Sequence, residues 1–228
     1  MAARAPRQSR SAARLDTLRE AAGSLLIDEG PDAITFRGVA KAAGLPAGTA
    51  SYYFDSRDQL YAAAVEAAEH QRTTAAQDRA DALEPRFREA PEVARLLIEV
   101  AYAPHVADDV VALRLEPMLA AQRSSDLRDT MAASRPRLLR ALATVITRSE
   151  HPEPSTDDLD LLAQVVDAAL LYARGRGSDH VLDDASRTVA RMLTLLDRER
   201  EGTASQHRPE GDADEPQGDA APQDAAPQ

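Results

Sequence analysis

Apolar positions recur at helical spacing along most of the chain. Leu15, Leu18, Ala22, Leu25 and Leu26 share one face of a helix that the pattern starts at Ser11 and ends at the DEGPDA stretch, where Gly30 and Pro31 break it. Thr35 is a good N-cap for a short helix over Phe36–Ala43, and Gly44 ends it. Leu45 and Pro46 turn the chain into a second short helix reaching about Phe54. Asp55 or Ser56 then caps a longer helix holding Leu60, Tyr61, Ala64, Val65 and Ala68. Further helices are expected near 89–103, 106–122, 125–148, 156–174 and 183–198, with Pro117 and Pro136 as places where a helix could kink or divide.

Two short helices joined by a tight glycine turn make a helix-turn-helix, whose second helix enters the DNA major groove. Three consecutive aromatics in that second helix, Tyr52, Tyr53 and Phe54, cannot all face a core. Helical geometry puts Ala50, Tyr53 and Phe54 on one face and Ala47, Gly48, Ser51 and Tyr52 on the other. Phe54 then anchors the core and Tyr52 points outward. Tyr53 lies between, its ring packed and its hydroxyl able to reach a phosphate. The small residues Ala47, Gly48 and Ser51 allow close approach to base edges.

The stretch TFRGVAKAAGLPAGTASYYFDSRDQL, residues 35–60, resembles the DNA-binding signature of the TetR family of bacterial transcriptional repressors. The likeness runs from 14 to about 65. It implies phosphate contacts from Thr35, Thr49, Tyr53 and Arg57, and a guanine contact from Arg37, the commonest specific protein–DNA pairing. Pro46 stands where the family often has Ser. Ala50 and Ser51 replace a large apolar residue and a Tyr. Beyond residue 75 only the architecture is similar: a divergent helical domain that binds a ligand and dimerises.

The expected fold is therefore all-α, with a three-helix DNA-binding domain over 11–57 and an effector and dimerisation domain over 58–200. Residues 1–10 read as a disordered basic arm and 201–228 as a disordered acidic tail. Pocket candidates in the second domain are Tyr102, His105, Arg114, Met118, Gln122, Met131, Gln164 and Tyr172. Two late stripes stand out. Leu159, Leu162, Val166, Ala169 and Ala173 form one; Ala185, Val189, Met192, Leu193 and Leu196 form the other. Intramolecular core must claim part of both. The family arrangement pairs these helices with their copies in a second subunit, which puts Leu162, Val166, Ala169, Ala173, Val189, Met192 and Leu196 at a homodimer interface and makes the operator near-palindromic.

Charge refines this picture. The 228 residues carry a formal net charge of −11, which looks wrong for a DNA-binding protein. Its distribution is uneven. Arg4, Arg7, Arg10 and Arg14 occur among the first fourteen residues without an acid, whereas residues 197–228 hold nine acids against three Arg. The basic end is either a solvated tail or an arm that reaches DNA. Cysteine is absent, which excludes disulfide and thiol chemistry and fits a cytoplasmic setting. No apolar run is long enough to span a bilayer. No Ser/His/Asp set, glycine-rich phosphate loop or paired carboxylates stand out, and His105 has no partner at metal-ligand spacing, so no enzyme, metal or cofactor is expected. The reading is a dimeric repressor that binds double-stranded DNA and is released by a small-molecule effector. The alternatives are an activator of the same fold, or a helical ligand-binding protein with vestigial DNA-binding helices.

Overall fold

The computed structural model describes residues 7–105 and 108–206, with side chains over 10–105 and 114–200. Every regular element among them is helical. α1 spans Arg7–Glu29 and is followed by a 3-10 turn over Pro31–Ala33; α2 spans Phe36–Ala42, α3 Ala50–Tyr53 and α4 Arg57–Asp81. α5 covers Ala90–Ala101, α6 Asp108–Ala121, α7 Ser125–Arg148, α8 Thr156–Gly175 and α9 Val181–Gln206.

Local chemistry sets the starts and stops. Gly30, at φ 82°, lets the chain leave α1 in a conformation that suits glycine. The side chain of Thr35 accepts the Gly38 N–H at 3.0 Å, Ser56 accepts that of Gln59 at 3.1 Å, and Ser124 accepts that of Leu127. Ser155 and Asp158 form a reciprocal capping box at the start of α8. Pro117 and Pro136 lie inside α6 and α7, each of which runs through its proline as one helix.

Two apolar cores share α4. The first gathers Leu18, Ala22, Leu26, Ile34, Val39, Ala50, Phe54, Leu60 and Val65. Each buried Leu or Val there contributes on the order of 1.5–3 kcal/mol. Ala121 and Leu127, from the end of α6 and the start of α7, also pack into this core. The second gathers Ala76 and Ala80 of α4 with the inner faces of α5, α7, α8 and α9. A shift of α4 in either core is therefore felt in the other.

Three boundaries differ from the sequence reading. α3 is four residues long, and Phe54 already has extended backbone (φ −123°, ψ 124°), because the chain turns there to seat the Phe54 ring in the core. α1 begins at Arg7, so only part of the expected basic arm, residues 1–6, lies outside the described residues. α9 continues to Gln206, past the expected start of the acidic tail; the remainder, 207–228, lies outside them too.

Candidate nucleic-acid interface

α2, the Gly44 turn and α3 present one polar surface. Gly44 adopts φ 66° just past the helix end, and its N–H donates to the Lys41 carbonyl. α3 is oriented by burial of Ala50 and Phe54, and the same rotation leaves Tyr52 80% exposed. The Tyr52 and Tyr53 rings meet edge to face with centroids 5.1 Å apart, so the half-buried Tyr53 steadies its exposed neighbour. Ala47, Gly48 and Ser51 are exposed on that side. Ser51 donates its hydroxyl proton to the Gly48 carbonyl at 3.0 Å and so offers a partner an acceptor. Arg37 and Lys41 are exposed on α2. Arg57 Nε donates to the Ile34 carbonyl at 3.3 Å, which ties its guanidinium to the foot of α2.

The first turns of α1 belong to this surface. The Ser11 and Tyr53 hydroxyls lie 3.1 Å apart and join α1 to α3. With Arg10, Arg14, Pro46, Gly48, Thr49 and Tyr52 they line an open groove of about 1010 Å³. The signal for α1 in the sequence was the basic run itself, with Arg10 and Arg14 four apart and so on one helical face.

The expected effector residues do not converge. His105 is exposed, with Nε2 3.5 Å from Asp28 Oδ1 on α1. Met118, Gln122, Gln164 and Tyr172 lie at the surface, and Met131 packs against the first core. Tyr102 and Arg114 alone come together, in a buried polar cluster centred on Glu69. Arg72 Nη1 lies 3.2 Å from Glu69 Oε1, and Arg114 Nη1 pairs with the same oxygen. Ser134 donates to Glu69 Oε2 at 3.0 Å, and the Tyr102 hydroxyl donates to Asp167 Oδ1 at 2.9 Å. Burial opposes ionisation of Glu69, but Arg114, Arg72 and Ser134 outweigh it and hold the carboxyl below its usual range. Burial raises Asp167, with Arg114 and Tyr102 pulling the other way without prevailing. Burial, and then Arg114, bring Arg72 down to about 10. Sequence reasoning missed Glu69 and Arg72. Their signal was charge at positions that continue the core-facing stripe of α4, among Ala68, Ala76 and Ala80.

The residues expected at a homodimer interface lie as follows in the single chain. Leu162, Val166, Ala169, Ala173, Val189 and Leu196 are buried within the single chain, where α8 packs on α9 and both meet the second core, and Met192 is half-buried against it. The periodicity found the inner faces of these helices. Their outer faces carry Leu161, Leu171 and Tyr172 on α8 and Leu195 on α9, all exposed.

Among the described residues, no helix is long and apolar enough to cross a membrane, and no group of side chains is suited to hold a metal ion. Residues 18–64 match the family described as Bacterial regulatory proteins, tetR family. No curated protein sequence matches the chain. Among solved structures, the chain is similar to a Mesorhizobium loti protein assigned to the TetR-family transcriptional regulators, with 21% identity, a TM-score of 0.56, and coverage of 82% of this chain and 98% of that one. It is similar to the multidrug binding protein EbrR complexed with proflavin at 23% identity and a TM-score of 0.56, over 78% and 99% of the two chains. A protein of Saccharomonospora viridis assigned as a transcriptional regulator, in complex with choline, is 18% identical with a TM-score of 0.55, over 81% and 96%. At these identities the likeness is one of fold. Residues 18–64 thus form a DNA-binding domain of the tetR family, and the chain as a whole has the fold of a TetR-family transcriptional regulator.

Proposed function

We propose that the chain is a dimeric repressor that binds a near-palindromic operator and leaves it when a small molecule binds its second domain. The observation that carries this reading is the α2–turn–α3 surface, where Tyr52 is 80% exposed in a groove with Gly48, Thr49, Arg10 and Arg14 while Phe54 holds α3 to the core. An exposed aromatic on the outer face of α3, next to small residues and the basic start of α1, suits a surface that DNA covers. Thr35, Thr49, Tyr53 and Arg57 contact phosphates, Arg37 reads a guanine, and Arg10 and Arg14 extend the basic face along α1. A local basic face is compatible with the negative whole, because phosphate contacts act within a Debye length of about 8 Å.

Effector release is supported by the folds solved with proflavin and choline and by α4, which is shared between the two cores. An effector that favours a different seating of the second core moves α4, and the two recognition helices of the dimer no longer match successive major grooves. The required difference in affinity between the two states is on the order of 1–3 kcal/mol. The dimer forms through the outer faces of α8 and α9, at Leu161, Leu171, Tyr172 and Leu195.

The test is salt-dependent binding of the full chain to the DNA upstream of its own gene, against random DNA of equal length. Arg37→Ala is expected to weaken binding by about 1–3 kcal/mol and relax preference at one base pair per half-site. Arg57→Ala is expected to weaken every sequence alike and to lower the salt slope by about one per subunit. Equal affinity for upstream and random DNA across salt concentrations would remove the repressor reading.

A further inference from the structure

The Glu69 cluster sets two guanidiniums against the carboxyls of Glu69 and Asp167, and leaves one guanidinium nitrogen without an acceptor. Two guanidiniums, Arg72 and Arg114, meet a single oxygen of Glu69, and Ser134 takes the other. Arg72 is 5% exposed, and its Nη2 is buried without an acceptor within hydrogen-bond reach. Asp167, the second carboxyl nearby, accepts from Tyr102. Buried guanidinium is satisfied best by a planar two-oxygen acceptor that takes both terminal nitrogens. A cationic ligand would meet two arginines and find Glu69 already engaged. A neutral ligand would leave the Arg72 donor as it is.

The surroundings set the rest of the ligand. Tyr102 belongs to the apolar second core, and the cluster joins α4, α6, α7 and α8. The Arg114 side chain keeps 11% exposure, which marks the α6 edge as the side nearest solvent.

We propose that Arg72 and Arg114 are the anion-recognising pair of the effector site and that the effector is an apolar carboxylic acid. This rests on the effector-released regulator proposed above. The carboxylate accepts from Arg72 Nη2 and competes with Glu69 for Arg114, and the hydrocarbon lies against the second core. Because Arg72 is on α4, acid binding acts directly on the helix that both cores share.

The experiment follows thermal unfolding of the full chain with benzoate and with octanoate, each against its own amide at equal concentration, and with octyltrimethylammonium. At least one acid is expected to raise Tm above its amide, by roughly 5–10 °C near a hundredfold of Kd. Arg72→Met is expected to abolish that increment, and Asp167→Asn, which removes a competing negative charge, to preserve or enlarge it. Three results would each overturn the proposal: neither acid exceeds its amide, the ammonium stabilises in their place, or the increment survives in Arg72→Met. Should Arg72→Met fail to fold, the Asp167→Asn comparison decides, and a smaller increment than in the unmodified chain counts against the proposal. DNA binding is measured on the same preparations. Specific DNA binding without an acid response overturns the acid effector alone. An acid response without specific DNA binding overturns the repressor reading and leaves the acid site standing.

Discussion

Glu69 is the residue on which the interior electrostatics turn. It is one buried carboxylate set between two guanidiniums, with Ser134 on its second oxygen. Removing one partner of such a group leaves the others buried and uncompensated, so Glu69→Gln is expected to lower stability in urea by about 3–5 kcal/mol at neutral pH. The pH dependence follows from the sign of the shift. Glu69 titrates below its usual range in the folded state. Its contribution is therefore present above the unfolded value of about 4.3 and fades as pH falls through the folded one. The gap between Glu69→Gln and the unmodified chain should close in that acid window. Asp167 has the opposite sign, because burial raises it. Its proton is held more tightly when folded, so it favours folding below about 3.9 and loses that advantage as pH rises. Asp167→Asn, which keeps an oxygen for the Tyr102 hydroxyl, is expected to gain stability relative to the unmodified chain on going from pH 3 to pH 7. Urea titrations at several pH values read both effects. The burial of Phe54 and the exposure of Tyr52 were legible in the sequence because they depend on neighbours one turn away; the pairing of the Tyr53 hydroxyl with Ser11 was not, since α1 brings it from 42 residues away. The partnership of Arg114 with Glu69 was not, since the residues stand 45 apart in the chain and only tertiary packing joins them.

At the scale of elements, the caps and breaks are local chemistry and were readable as such. Thr35, Ser56 and Gly44 stand where their side chains or backbone freedom are needed. The length of α3 was not readable. Four residues have little helical stability of their own, and α3 persists because Ala50 and Phe54 are buried. Two glycines separate the two uses of that residue. Gly44 has φ 66° and open space around a would-be Cβ, so Gly44→Ala is expected to cost about 1 kcal/mol through backbone strain alone. Gly23 lies where α1 crosses α4. A Cβ there would stand 2.8 Å from both Ala67 Cβ and the Ala68 backbone nitrogen, neither of which can swing aside. Gly23→Ala is expected to push the helices apart at about 1–3 kcal/mol and to reduce DNA affinity, since α1 carries Arg10 and Arg14. Tm and anisotropy on operator DNA distinguish the pair: strain at Gly44 changes the turn before α3, whereas overpacking at Gly23 disturbs the α1–α4 crossing.

At the scale of the molecule, the question is which surface of α8 and α9 meets a second copy. Periodicity identifies an apolar face and says nothing of what covers it. The stripes visible in the sequence are covered by the same chain. What remains uncovered is smaller and less regular: Leu161, Leu171 and Tyr172 on α8, with Leu195 on α9. Leu161 and Tyr172 are eleven residues apart, about three helical turns, and so lie along one edge of α8, with Leu171 about 100° round the helix from Tyr172. Scattered exposed leucines are ordinary on a monomer, and these four, on adjacent helices, are the apolar surface that the proposed dimer would bury. Arginine at the two kinds of position separates these roles. Leu171→Arg and Leu195→Arg put charge on the outer faces, where a monomer tolerates it and a dimer must bury it without a partner. Both are expected to sediment as monomers with their helical circular dichroism retained, and to lose tight operator binding because one recognition helix makes too few contacts. Ala169→Arg and Val189→Arg put the same charge into the second core, and are expected to lose helicity and Tm along with any dimer. Dimers that survive both outer substitutions with full operator affinity would move the interface off α8 and α9, and with it the geometry by which α4 is proposed to reposition the recognition helices.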